Sequence, residues 1–345
     1  MDVSNLLQEE LVSQFESTNT KPKIDPEEKT IVLFPGQGSQ KVGMVDDLLQ
    51  YPNVKEIFSV ASEILNFDLL RYCQNGPQSK LDRTVHCQPA IMVTSLAGIE
   101  KLQVVEPKAL ENCCACAGYS IGEFPALVFS GALSFEDAMK LVSIRSRAMQ
   151  NASNRIESQM VTAYGSANTK FKLSCEAARD YCQQQLTMDN PICNVSAYLA
   201  PNIVTLAGHA PAVNYIKENM NKFGIRKIFP IPVSGAFHTK IMYEALPELK
   251  AALKSIHINQ PLIQVYSNLS GKVYHDPDEI RESLPRQIIN PVQWEQITHK
   301  MLTRSNKESM PTIYDVGPGN QLESLLKKCN GKAWRNYIPV KALCK

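Results

Sequence analysis

No run of apolar residues in this chain approaches the roughly 18 that a membrane-spanning helix needs. Neither sign of charge dominates: 36 Lys and Arg stand against 34 Asp and Glu, a net of +2. No global field therefore draws the chain toward nucleic acid. Two phosphate-binding signatures are missing as well. Gly36 and Gly38 begin a glycine loop, but the sixth position of G-x-G-x-x-G is Lys41. Gly43 is followed by Met44, and Gly-Lys-Ser/Thr occurs nowhere. Metal-ligand spacing is lacking too. The ten cysteines are scattered, several inside apolar runs, which fits reduced, buried thiols better than a disulfide framework. Cys113, Cys114 and Cys116 sit on one apparent strand, whose successive residues face opposite sides, and no His/Cys pair stands near them. No metal site is expected. Residues 1–29 contain no arginine, so they do not read as a mitochondrial presequence. Repeats and low-complexity segments are absent.

What is present suits a soluble globular enzyme: 345 residues, 44% of them hydrophobic. That length fills one large domain or two smaller ones. Val3, Leu6, Leu7, Leu11 and Phe15 mark one helical face, and 16–28 reads as a linker. Strand-like runs fall at 30–34, 113–117, 264–267 and 312–316, with helical periodicity at 54–65, 89–102 and 134–152. Ser134 is placed to cap the last of these. Alternating strands and helices predict an α/β fold with a mostly parallel sheet covered on both faces. The middle differs. Strands are expected at 159–165, 192–196, 203–208 and 226–233, with helices at 173–185 and 210–223. The order βαββαβ is that of a ferredoxin-like unit. The expected organisation is an N-terminal helix and linker at 1–29, a large discontinuous α/β domain at 30–154 and 231–345, and a small inserted domain at 155–230.

Gly118-Tyr119-Ser120-Ile121-Gly122 has the G-x-S-x-G pattern of a nucleophile elbow. A strand precedes it and a helical turn follows it. The glycines permit the sharp turn, and the helix N-terminus points N–H groups at developing negative charge. A plain Gly/Ser turn is the alternative. A serine hydroxyl needs a base. Of six histidines, His238 follows the strand and the Ser234-Gly235 break, on the sheet edge that the elbow serine shares. His86, His209, His257, His275 and His299 read only as structural or surface residues. The loop at Gly36–Gly38 could bring N–H groups or the Gln37 amide to an oxyanion, or be an ordinary βα turn. Arg145, on the helix after Ser134, could clamp a carboxylate in bidentate fashion or simply be solvated.

Seven collinear blocks over about residues 30 to 326 resemble the malonyl-CoA:acyl carrier protein transacylases, with animal mitochondrial members nearest. They are Phe34-Pro35-Gly36-Gln37-Gly38-Ser39-Gln40, Gln88-Pro89-Ala90, Gly118 to Glu123, Arg145 with Met149-Gln150, Val233 to His238, Asn290-Pro291-Val292-Gln293-Trp294 and Val316-Gly317-Pro318-Gly319. The resemblance implies an α/β-hydrolase-like core with an inserted ferredoxin-like small domain. It implies Ser120 as acylated nucleophile, His238 as its base, and Gln37 with the Ile121 N–H as oxyanion hole. It further implies Arg145 as clamp for the malonyl carboxylate, Gln88 lining the site, and the Gln293 carbonyl holding the His238 ring. Ala236-Phe237-His238 resembles malonyl-selecting members, while Tyr119 departs from the histidine that many members carry. The implied partners are malonyl-CoA, as substrate, and acyl carrier protein, with no cofactor, nucleic acid or membrane span. The implied location is the mitochondrial matrix, with the cytoplasm open.

Lys327, Lys328, Lys332, Arg335, Lys341 and Lys345 form a terminal stretch free of Asp and Glu. It could steer an acidic carrier or be merely solvated. Three other readings stand beside malonyl transfer: a serine esterase or thioesterase that passes its acyl group to water, a non-catalytic scaffold, and an acyltransferase with another extender unit or an RNA-binding side role. Intact Ser120, His238, Gln37 and Arg145 speak against the scaffold. The carboxylate clamp and the seven blocks favour transfer over hydrolysis.

Overall fold

The computed structural model describes residues 24–25, 27–304 and 308–343; the expected helical face at Val3–Phe15 lies outside them. A five-stranded sheet runs in the order β7-β2-β1-β8-β9, and every pairing in it is parallel. Its strands are β1 (Thr30–Phe34), β2 (Cys113–Gly118), β7 (Gln264–Tyr266), β8 (Thr312–Asp315) and β9 (Tyr337–Pro339). All of β1 is buried. Val32 and Phe34 enter one apolar cluster, Ile31 and Leu33 another on the opposite face. A parallel sheet covered twice explains why TIVLF shows no polar alternation.

A second sheet, in the order β4-β5-β3-β6, is wholly antiparallel. It comprises β3 (Ser158–Tyr164), β4 (Cys193–Ala200), β5 (Ile203–His209) and β6 (Lys227–Pro230). The helices Phe171–Gln185 and Ala210–Glu218 bury Cys175, Ala178, Val213 and Ile216 against Val161, Val204 and Leu206. The turn between β4 and β5 places Asn202 at φ 60, a conformation asparagine tolerates. β6 stops at Pro230 rather than at Val233, because Pro230 and Pro232 bring no N–H to a ladder. The parallel and antiparallel sheets, with helices on both faces of the first, make the α/β architecture that the sequence predicts.

Two helices position the site. Thr84–Val105 begins five residues before the expected start at Pro89. Gln150 Oε1 accepts from the Thr84 N–H at 3.1 Å and so serves an N–H that the helix leaves unpaired. Ser134 caps Phe135–Arg155 as expected, its hydroxyl accepting from Asp137 N. The sheets are tied by the 290–292 loop. Val292 N donates to Ser196 O at 3.0 Å, and Tyr198 N donates to Val292 O at 2.9 Å. Among the described residues no helix is long and apolar enough to cross a membrane.

Candidate active site

β1 and β2 lie side by side in parallel, with Phe34 opposite Gly118. Their C-terminal loops therefore meet at one sheet edge, where α/β folds place ligands. The elbow turns there. A Cβ on Gly118 would collide with the Gly122 carbonyl, and one on Gly122 with the Phe34 carbonyl. Ser120 is held at φ 54, in the left-handed region. Such strain persists only where the surroundings over-determine it, and here Asn268 does so. Its Oδ1 accepts from Ser120 N at 2.7 Å while its Nδ2 donates to Gly118 O at 2.6 Å.

His238, also left-handed at φ 61, brings Nε2 to 2.8 Å from Ser120 Oγ. Its Nδ1 lies 2.8 Å from the Gln287 carbonyl. A carbonyl only accepts, so Nδ1 carries the ring proton and Nε2 is free to receive the serine's. The ring is buried. Burial, and then the Arg145 cation, pull its pKa down to about 4, so it stays neutral at ordinary pH.

The Gln287 carbonyl corrects one sequence-based expectation, since Gln293 does not hold this ring. Gln293 O accepts from Ile297 N at 3.0 Å, inside the helix Trp294–Met301. Gln287 instead ends the helix Pro277–Gln287, and a last-turn carbonyl has no helical partner.

Arg145 is 1% exposed on the helix Phe135–Arg155. Its Nη2 donates to Gln287 Oε1 at 2.8 Å and reaches Ser120 Oγ at 3.3 Å. Nε and Nη1 are buried without a hydrogen-bond partner. The guanidinium carbon sits 5.6 Å from the centre of the Phe124 ring. Burial lowers the Arg145 pKa to about 9, Glu123 opposing. The group therefore remains a cation, with Nη2 beside the serine and two donor positions open.

Gln37, Gln88, Ser120 and His238 line one cavity of about 60 Å³, with Val233 and Phe237 among its walls. Gln37 Oε1 and Gln88 Oε1 are buried and unpartnered. Gln321 holds the β1 loop in place. It accepts from Gly36 N at 2.9 Å and donates to Gln37 O at 3.3 Å. Ile121 follows Ser120 directly in a short 3₁₀ turn, fully buried. Tyr119 packs edge-on against Trp294, with ring centres 5.6 Å apart. Beyond His238 opens a wider cleft of about 340 Å³ whose walls include Lys172, Arg179 and Lys240.

Three residues that the sequence did not single out complete the frame: Gln287, Asn268 and Glu123. Glu123 alone had a signal, as the residue after the elbow's last glycine. The thiols of Cys113 and Cys116 are held far above the usual thiol range by burial, so they are inert.

Comparison with known proteins shows the family and its fold. The model of the acyl transferase domain family matches residues 31–317. The Homo sapiens protein named malonyl-CoA-acyl carrier protein transacylase, mitochondrial, is 45% identical over 318 residues, 92% of this chain and 81% of that one. The malonyl CoA-acyl carrier protein transacylase of Coxiella burnetii superposes with a TM-score of 0.80 at 30% identity, covering 90% of this chain and 93% of that one. A type II polyketide acyl-carrier protein in complex with its malonyl-transacylase supplies another neighbour, with TM-score 0.77, 29% identity and coverage of 90% and 94%. A shared family model over most of the length, close relatives and a common fold leave one assignment: the chain is an acyltransferase and belongs to the malonyl-CoA–acyl carrier protein transacylase family.

Proposed function

We propose that the chain moves a malonyl group from coenzyme A to the phosphopantetheine thiol of acyl carrier protein through a malonyl ester on Ser120. The observation that carries this reading is the pairing of a serine–histidine dyad with a buried arginine. Arg145 holds Nη2 at 3.3 Å from the Ser120 hydroxyl and keeps Nε and Nη1 unpaired. A carboxylate one carbon beyond an acyl carbonyl would give this cation a counter-charge and charge-assisted hydrogen bonds. An uncharged acyl group would leave a buried cation unmatched, which is costly.

In the first half-reaction His238 Nε2 takes the Ser120 proton as Oγ attacks the thioester carbonyl. Gln37 and the Ile121 N–H stabilise the tetrahedral oxyanion. The carbon–sulfur bond breaks, and the departing thiolate takes the proton from His238. In the second half the carrier's thiol gives its proton to His238 and attacks the ester, and Ser120 recovers its hydrogen. Gln88 shapes the acyl cavity. The wider cleft beyond His238 admits the thioester arm, and its lysines and arginine suit that arm's phosphate. We assign residues 155–230 to a small inserted domain, 30–154 and 231–345 to the large one, and the mitochondrion as the location. Mitochondrial relatives support the location.

The test is the intact mass of the protein after brief mixing with malonyl-CoA, before and after adding carrier protein. The expected result is a malonyl increment, absent in Ser120→Ala and discharged onto the carrier. An increment that decays equally fast without carrier would make the chain a hydrolase.

A further inference from the structure

We propose that Glu123, through Gln287, is a positioning residue that sets the orientation of Arg145 and thereby the preference for a carboxylate-bearing acyl group. The proposal rests on the malonyl-transfer reading above. Glu123 is fully buried at the start of the helix Glu123–Phe129. Among the described residues no cation pairs with it directly. Three donors converge on it instead. Asn268 N and Tyr274 Oη reach Oε1 at 3.1 and 2.6 Å, and Gln287 Nε2 donates to Oε2.

The Gln287 amide is the hinge of the argument. Its Nε2 serves Glu123 and the Ser120 carbonyl, the latter at 3.0 Å. Its Oε1 is thereby turned to Arg145 Nη2 at 2.8 Å. The two ends of an amide are nearly equal in shape and opposite in hydrogen bonding. Were the amide reversed, an N–H would face the guanidinium and an oxygen would face the carboxylate. The ionised Glu123 opposes that state, since it can only accept, and it acts together with the Ser120 carbonyl, which only accepts, and the guanidinium, which only donates. The same carboxylate also receives Asn268 N, and Asn268 holds the strained Ser120 backbone. One buried group thus braces both the nucleophile and the clamp.

Burial raises the Glu123 pKa to about 7, with Tyr274, Gln287, Asn268 and Arg145 opposing. The charged or titratable groups acting on it are Arg145 from its helix and Tyr274 after β7. Glu279, at the start of Pro277–Gln287, acts on Tyr274. Tyr274 is held well above its usual range by burial and then by Glu123, so it remains a donor. His238 titrates near 4, well below Glu123. The acid limb that belongs to Glu123 is the one that substitution of its donor Tyr274 moves, and protonation there weakens one of the two contacts that hold the Gln287 Nε2 end in place.

The experiment measures kcat/KM for malonyl-CoA and acetyl-CoA across pH in the full chain, Glu123→Gln and Tyr274→Phe. Thermal midpoints monitor folding, and malonyl-serine formation in the wild type is checked first. Absence of that ester would defeat the malonyl-transfer reading itself. Given the ester, Glu123→Gln is expected to lower the malonyl-to-acetyl ratio by about 10- to 100-fold, the range for unpairing a buried hydrogen-bonding group. Tyr274→Phe removes a donor to the carboxylate, so the acid limb should move to higher pH. Equal losses for both acyl groups in Glu123→Gln would reduce Glu123 to a structural role and overturn the proposal. An unmoved limb in Tyr274→Phe would do the same, even if Glu123→Gln did not fold.

Discussion

Arg145 is the residue whose substitution separates binding from chemistry most cleanly. Truncation to Ala leaves Ser120, His238 and their 2.8 Å contact in place and removes the unmatched cation. Arg145→Ala is expected to lose malonyl transfer by about 10²-fold or more while gaining acetyl transfer, since breaking a buried charged contact costs about 3–5 kcal/mol. Steady-state rates with the two thioesters check it, and malonyl transfer at wild-type rate would refute the clamp. Ser120, His238 and Arg145, which the structure brings together, could be singled out from the sequence because the chemistry proposed for them needs particular side chains in recognisable local settings. The carbonyl that orients His238 was not. Every residue owns a carbonyl, so its role leaves no mark in the sequence, and Gln293 was the wrong choice for that reason. Asn268 and Gln287 were hidden similarly, for they act across long sequence separations on backbone atoms of the elbow.

The elements carry their own tests. Gly118→Ala and Gly122→Ala drive a methyl group into backbone carbonyls. Each is expected to destabilise by about 2–4 kcal/mol in denaturant titrations, in the range of severe strain. Gly331→Ala, where nothing lies within 4 Å of the added carbon, is expected to stay within about 0.5 kcal/mol of wild type. At the join of β8 and β9, buried Asp315 accepts from Tyr337 Oη at 2.6 Å and from Gly317 N at 3.2 Å. Burial raises its pKa from 3.8 to about 7 despite these donors. The folded chain therefore holds this proton where the unfolded chain has released it. Stability linked to Asp315 declines as pH rises from about 4 to about 7, and the decline is complete above the folded pKa. Thermal midpoints across that window should fall more in the wild type than in Asp315→Asn, and parallel curves would refute the linkage. Most element positions followed from periodicity and caps. The ends that differed did so where proline or tertiary contacts decided, at Pro230 and at Thr84.

Across the whole molecule, the basic terminal stretch is the feature that bears on partners. Lys327 and Lys328 end the helix Gln321–Cys329, where cations suit the exposed carbonyls. Lys327 lies 4.0 Å from the centre of the Trp334 ring. Reversing the charges of Lys328, Lys332 and Arg335 is expected to slow transfer to carrier protein, most at low salt, and to leave loading of Ser120 unchanged. Carrier kinetics insensitive to both mutation and salt would remove the steering role. The α/β class and the βαββαβ order were readable because each element announces itself locally. How the 290–292 loop stitches one sheet to the other was not, since that contact joins segments about a hundred residues apart. The two left-handed residues, Ser120 and His238, give this architecture an evolutionary reading. Glycine would occupy either position with less strain. The fold is thus held slightly away from its most comfortable sequence by the reaction it performs. Freed from selection for acyl transfer, a descendant of this chain should drift toward glycine at 120 or 238 and gain stability as it falls silent.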